Sequence, residues 1–482
     1  MDYEAVIGME VHAQIRTESK MFCGCSADYA SATPNSHVCP VCMALPGVLP
    51  VINQRAVEAT VLTGLALGCD IPEFAKFDRK NYPYPDLPKG YQISQYDLPL
   101  CIRGHLDIDT EAGQQTVRIR RVHLEEDTAK LVHAGDSSLI DYNRAGVPLM
   151  EIVTEADLHS AEAASAYLVT LRTILRYLGV NNGNMEEGAL RCEANVSLRP
   201  LGTESFGTKV EVKNLNSFRA VRQAIDYEID RQRRLLDAGQ SVTQVTMGWD
   251  DVRGCTVFQR SKEGAEDYRY FPEPDLPPLT PSRAWVAEMR ATLPELPAAR
   301  AARFVEQYGL REHDARLLAE ERAIAEYFEA TVAAARAHTE PRGVANWLLG
   351  ELFRLLREHA CDIDQCRVSP EGLADLLGLI HQGAINATVS KQVLEEMFTS
   401  GDAADVVVRR EGLTQLNDHA ELARVIDRVL VSNPKPVQQY LDGKQSVLAF
   451  FVGQVMRETR GQANPNIVGP LLKDRLEKQR NR

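Results

Sequence analysis

Five of the ten residues from Pro272 to Pro281 are proline. Each lacks a backbone donor and fixes its own φ, so neither a helix interior nor a central strand can run through this segment. The chain has to break here, and a linker is the expected form of the break. The two sides read differently. Before it, short alternating runs and helical stripes give mixed α and β structure. After it, Ala- and Leu-rich stretches such as Val344 to Leu356 (VANWLLGELFRLL) recur at helical spacing, with DVVVRR at Asp405 to Arg410 the lone strand-like exception. A second, weaker boundary falls near Gly401. No internal repeat, low-complexity tract or heptad pattern is present.

Composition bounds the class. With 482 residues, 44% hydrophobic and 25% charged, the chain has the make-up of an ordinary folded protein of two to four domains. The opening MDYEAVIGMEV is acidic and alternating, unlike a basic region followed by an apolar run, and no stretch is apolar for long enough to span a bilayer. A cytoplasmic location is therefore expected. A formal net charge of −13 argues against indiscriminate coating of nucleic acid, because phosphate binding depends on Lys and Arg. The charge is uneven, however. Val431 to Arg482 holds nine Lys or Arg against four Asp or Glu, about +5, which leaves about −18 elsewhere.

Before the proline run, strands and helices can be placed. Ile7, Met9, Val11, Ala13 and Ile15 alternate with Gly8, Glu10, His12 and Gln14, the period of a strand with one apolar and one polar face. Leu190 to Arg199 alternates in the same way with Glu193 on the polar side. Val210 and Val212 oppose Glu211, and Val122 and Leu124 oppose His123, Glu125 and Asp127. Four strands thus each carry a carboxylate on a polar face. Two amphipathic helices lie among them, one opened by Ser160 and stopped at Gly179, the other running from about Ser217 to Gly239. Helices backing the apolar face would leave the polar face for chemistry.

Three constellations have chemical content. Cys23, Cys25, Cys39 and Cys42 make a C-x-C and a C-x-x-C pair across a thirteen-residue loop, four of the ten cysteines. Paired spacing of this kind suits a closed four-thiolate Zn²⁺ site with no position for substrate, hence a structural one. Glu10, His12, Glu125, Glu193 and Glu211 on one sheet surface would repel unless a cation neutralises them, and oxygen ligands suit Mg²⁺ bridging to nucleotide phosphates. The plainer reading is a solvated sheet face that happens to carry Glu. The loop Lys76 to Asp97 interleaves Tyr82, Tyr84, Tyr91 and Tyr96 with Lys80 and Lys89, a composition that can stack a base and hold phosphate, or simply pack as a surface crossing. No P-loop is present, and there is no G-x-S-x-G elbow and no Cys and His pair placed for acyl transfer, so nothing here is built to release nitrogen from an amide donor.

With these residues in view, IGMEVHAQ (Ile7 to Gln14), FCGC with CPVC and LPGVLPV (Phe22 to Val51), KFDRKNYPYPDLPKGYQISQYDLP (Lys76 to Pro99), HLEED (His123 to Asp127), DYNRAGVPLMEIV (Asp141 to Val153), EVKNLNSF (Glu211 to Phe218), DYRYFPEPDLPPL (Asp267 to Leu279) and VGQVMRETRGQANPNIVGPLL (Val452 to Leu472) resemble the B-subunit family of the aspartyl/glutamyl-tRNA amidotransferases. The resemblance covers essentially the whole chain. It implies an α+β fold: a catalytic cradle over 1–292, antiparallel and similar to the glutamine synthetase sheet with a zinc-binding insertion, then an all-α domain over 293–402 and a small α-helical, tRNA-binding tail over 403–482.

It also implies the reaction and the partners. ATP would phosphorylate the side-chain carboxylate of Glu-tRNA-Gln or Asp-tRNA-Asn, and ammonia channelled from an amidase A subunit would displace the phosphate, with a small C subunit completing a heterotrimer. Glu10, His12, Glu125, Glu193 and Glu211 are the expected catalytic residues, with His12, Glu125 and Glu10 on Mg²⁺. Lys80, Tyr82 and Lys89 are expected at ATP or phosphate, and Cys23, Cys25, Cys39 and Cys42 on Zn²⁺. Glu193 stands where the family is expected to show Asp, which keeps the carboxylate on a longer stem. A free-standing ATP-dependent ligase or kinase for a small carboxylic acid would use the same acidic face without a basic tail. A non-catalytic tRNA-binding protein would use the tail without the carboxylates.

Overall fold

The computed structural model describes residues 2–261, 268–335, 339–413, 419–459, 463 and 465–480. Of the run GQANPN, Gly461, Gln462 and Asn464 lie outside the described residues, as does Arg482. The chain divides into two compact units, Met1–Leu296 and Pro297–Arg482.

In chain order the first unit consists of β1 (Tyr3–Gln14), α1 (Gln54–Ala66), β2 (Asp78–Asn81), β3 (Tyr91–Ser94), β4 (Cys101–Thr110), β5 (Gly113–Glu126), β6 (Lys130–Ala134), β7 (Ser137–Asp141), β8 (Pro148–Thr154), α2 (Ala161–Tyr177), β9 (Leu190–Pro200), β10 (Val210–Leu215), α3 (Phe218–Asp237), β11 (Val245–Asp250), β12 (Cys255–Ser261), β13 (Phe271–Pro272) and α4 (Arg283–Ala291). Eight strands form one sheet in the order β12-β11-β10-β9-β1-β8-β5-β4, while β13-β2-β3 and β6-β7 form two small ones. The large sheet is antiparallel except where β10 runs parallel to β11. That exception to the expected antiparallel sheet has a simple cause. The twenty residues of α3 separate the two strands and return the chain to the same edge, as a parallel pair requires.

Ile7, Met9, Val11 and Ala13 of β1 are fully buried and share one core with the apolar sides of all three long helices. The Ser160 hydroxyl caps α2 by accepting from Ala163 N at 3.0 Å, and Ser217 does the same for α3 from Ala220 N at 3.0 Å. Gly179, at φ +67°, ends the first of these. Helix α1 has no polar stripe for the sequence pattern to reveal, because Thr60 and Thr63 turn their hydroxyls back to Ala56 O and Ala59 O, both at 2.9 Å, and are buried. Gly64 lets it approach β4, since a Cβ there would sit 2.4 Å from Cys101 Sγ.

The proline run is not a free linker. Phe271 and Pro272 pair with Arg79 and Asp78 as the edge strand of the small sheet, where a missing donor costs nothing. Leu276 is buried in the first unit's core, and the Glu273 carboxylate forks onto Arg79 at 2.7 and 2.8 Å. The segment therefore straps onto the first unit, and the division falls after it at Leu296.

The second unit is helical, with one apolar cluster spanning Ala301 to Val408 and another spanning Leu422 to Leu476. The strand-like DVVVRR is a helix, Ala404–Arg410. Ala404, Val407 and Val408 lie at i, i+3 and i+4 and bury one face in the first cluster, which outweighs the β preference of three valines. In Val344 to Leu356 the helix passes through one π-helical stretch, Leu348–Leu352.

Candidate active site

The polar face of the large sheet is ordered by register. His12 of β1 stands opposite Glu151 of β8, which stands opposite His123 of β5. On the other side of β1, Glu10 stands opposite Glu193 of β9, and Glu211 of β10 is opposite Asn195. Two trios result, His12 with Glu125 and Glu151, and Glu10 with Glu193 and Glu211. Within each, one ligand atom per residue lies within 4.8 Å of the others. Glu10 is thus not grouped with His12 and Glu125, although one residue alone separates it from His12.

In the first trio His12 Nε2 is 3.7 Å from Glu125 and 3.7 Å from Glu151. His123, 2% exposed, sits beneath them with Nε2 3.1 Å from Glu151 and 3.8 Å from Glu125. Burial alone would discharge this imidazole, but the Glu151 and Glu125 carboxylates reverse the effect and lift it to about 9. Burial likewise opposes the charges of Glu125 and Glu151, yet contact with His123 keeps both carboxyls below the ordinary range. In the second trio the outcome is opposite. Burial, then the neighbouring Glu151 and Glu193 carboxylates, push the Glu10 carboxyl up. Asn195 Nδ2 donates to Glu10 at 2.9 Å, Lys213 Nζ spans both oxygens of Glu193 at 2.7 Å, and Thr246 Oγ1 donates to Glu211 at 2.7 Å. A face with this much carboxylate and this little matching cation suits divalent ions with open positions.

The small sheet brings Lys80 to the first trio. Burial disfavours its ammonium, but the Glu125 carboxylate, with Tyr270 and Glu151, holds its pKa above the ordinary value. Its Nζ lies 4.9 Å from the Tyr268 ring centre and 5.8 Å from that of Tyr82. Tyr270 and Tyr96 stack at 4.2 Å beside them. Lys89 goes elsewhere. Its Nζ pairs with Glu126 at 2.6 Å, on the opposite side of β5 from Glu125, and lines a cavity with Cys23 and Cys42.

The four cysteine sulfurs also lie within 4.8 Å of one another. Cys39 Sγ and Cys42 Sγ are 3.8 Å apart, close to the separation of about 3.8 Å that tetrahedral Zn–S bonds of about 2.3 Å impose. Cys39 N donates to Cys42 Sγ at 3.0 Å, the kind of contact that stabilises a thiolate. Hydrogen bonding with Cys23 lowers the pKa of Cys42 to about 5, while Cys25 is pushed up to about 11, chiefly by burial.

Glu151, His123, Lys213 and Tyr268 are site residues that sequence pattern alone does not nominate. Glu151 carries a signal: it is the one charge in PLMEIVT, a strand buried at every position. Lys213 looks like ordinary alternation, and Tyr268 arrives from nearly 190 residues beyond Lys80 in the chain.

Comparison with known proteins bears on this arrangement. A family model described as the GatB/GatE catalytic domain matches residues 5–287, and one described as the GatB domain matches residues 326–476. The B subunit of the aspartyl/glutamyl-tRNA(Asn/Gln) amidotransferase of Thermomicrobium roseum is 55% identical over 481 residues, 99% of each chain. Those of Moorella thermoacetica and Carboxydothermus hydrogenoformans are 53% and 51% identical, also over 99% of this chain. The chain belongs to the GatB/GatE family.

Proposed function

We propose that the chain is the carboxylate-activating B subunit of a tRNA-dependent, glutamine-hydrolysing amidotransferase, a carbon–nitrogen ligase. The observation that carries the reading is the pair of acidic trios on adjacent strands, with Lys80 beside one of them, in a chain about half identical to such proteins from end to end. A protein that only held tRNA would have no use for six metal-competent side chains on one face.

A carboxylate is a poor acyl donor. An oxygen of the Glu or Asp side chain on the tRNA attacks the γ-phosphorus of ATP, and the bond to ADP breaks. Ammonia then attacks the acyl carbon, the C–O bond breaks, and inorganic phosphate leaves with that oxygen. His12, Glu125 and Glu151 would hold one Mg²⁺ and Glu10, Glu193 and Glu211 another; bound there, the ion neutralises charge on the phosphoryl group. Lys80 places a fixed positive charge beside the first trio, while Tyr82 and Tyr268 restrict where its ammonium can point. Lys213 holds Glu193 in place on its longer stem. Lys89, paired with Glu126, serves the cavity behind the sheet rather than the phosphate.

Ammonia comes from a partner amidase, a small third protein joins the two, and the complex works in the cytoplasm. The basic C-terminal segment grips the tRNA. Cys23, Cys25, Cys39 and Cys42 hold a structural Zn²⁺, so aerobic purification without chelator should return close to one equivalent of zinc. In the assembled complex, Glu125→Ala and Glu151→Gln should abolish phosphorylation of the charged tRNA while tRNA binding persists. Near wild-type phosphorylation by both variants would place the chemistry elsewhere.

A further inference from the structure

Lys20 is 1% exposed, and the one hydrogen bond of its Nζ among the described residues goes to the Tyr142 carbonyl at 3.1 Å. No described carboxylate lies within ion-pair distance of it. A buried ammonium with a single carbonyl for company is destabilising unless an anion faces it. Lys20 lines a cavity with Cys23, Cys42, Glu126 and Asp275, and a second with Cys23 and Cys39. Glu126 is taken by Lys89 at 2.6 Å, and Asp275 by Arg79 at 3.2 Å. With those two carboxylates paired to other cations, the thiols of Cys23, Cys39 and Cys42 are the lining groups left to balance Lys20.

We infer that Lys20 is the buried counter-cation of the four-cysteine metal centre and ties that centre to the turn leading into β8. Four thiolates around Zn²⁺ carry a net charge of −2, which one ammonium halves. The same side chain holds Tyr142, and the backbone N–H of Met21 beside it donates to Gly146 O at 2.7 Å. The turn from Tyr142 to Val147 delivers Glu151 to the first trio, so the metal centre and the acidic face share a mechanical link. The inference rests on the reading of the cysteines as a zinc site.

Zinc content of the wild-type full-length chain tests that premise, and chelator-driven zinc release then compares wild type, Lys20→Met and Lys20→Arg. Lys20→Met should lose zinc roughly tenfold to a hundredfold faster, as removal of outer-sphere partners of metal ligands does, and Lys20→Arg should stay within about threefold of wild type. Release from Lys20→Met within about twofold of wild type would overturn the inference and leave the zinc site standing. Zinc-free wild-type protein would overturn both. If Lys20→Met does not fold, the test moves to a background with all four cysteines changed to Ser. There Lys20 has lost the thiolates it balances, so adding Lys20→Met should raise Tm, and an unchanged or lower Tm refutes the role.

Discussion

Asp127 is the buried charge on which the edge of the candidate site hangs, and replacing it by Asn should cost about 3 kcal/mol. Its carboxylate is 3% exposed. Oδ2 accepts from Gln14 Nε2 at 2.7 Å and from Arg191 Nη2 at 2.9 Å, Oδ1 accepts from Thr128 N at 2.9 Å, and Arg144 Nε lies 3.8 Å away. An Asn side chain has one oxygen and one NH₂ in those places, so at least one donor is left facing a donor, and both guanidiniums lose their counter-charge. A charge-assisted bond is worth about 1.5–3 kcal/mol and a neutral one about 1. Arg191 and Arg144 are 34% and 22% exposed, so water recovers part of the loss and the lower end of the sum applies. For a unit of this size that is roughly 2 °C per kcal/mol, or about 6 °C in Tm. Burial opposes ionisation of Asp127, but Arg191 and Arg144 hold its carboxyl below the ordinary value. A depressed folded-state pKa gives stability that is present above the unfolded value of about 3.9 and lost as pH falls through the folded one. The gap between wild type and Asp127→Asn should therefore be full at pH 7 and close in acid. Thermal melts of the zinc-loaded full-length chain across that range provide the assay. A loss under about 1 kcal/mol at pH 7, or a gap that widens in acid, would show that Asp127 does not hold these donors as a buried charge.

Lys80→Met should lower the rate of tRNA amidation by about 10²–10³ with little change in Tm, the usual consequence of removing one fixed charge from a transferring group; a single-turnover assay with charged tRNA measures it. Glu193→Asp should retain activity with a higher magnesium requirement, because the shorter stem gives up contact with Lys213, and titration of rate against Mg²⁺ checks this. Truncation after Leu413 should weaken tRNA binding and flatten its dependence on salt while leaving ATP hydrolysis at the sheet intact, since each lost phosphate contact removes about one unit of log–log slope. Filter binding across ionic strength would show unchanged affinity and slope if the basic segment were only a solvated helix surface.

Much of this architecture could be read from residue order alone, because strand alternation and capping are local. β1, β9, α2 and α3 follow directly from spacing and from Ser160 and Ser217, and the carboxylates of Glu10, Glu125, Glu193 and Glu211 fall on the polar face as their positions require. What spacing could not supply was strand order. Placing β8 between β1 and β5 is what joins Glu151 and His123 to His12, and nothing local dictates that neighbour. The same applies to Lys80 and Lys89, which look equivalent in one basic loop but are sent to opposite sides of β5 by the pairing of β2 with β3. The proline run misleads for a related reason, since its lack of donors is harmless at an edge that only folding creates.

On the proposed reading, the side-chain carboxylate becomes an acyl phosphate on this chain. Charged tRNA labelled with ¹⁸O in that carboxylate, given to the assembled complex with ATP and glutamine, follows the oxygen through the reaction. One ¹⁸O should appear in the inorganic phosphate released for each amide formed, and Glu151→Gln should lose both products. Amide formed at the normal rate with unlabelled phosphate would contradict that reading.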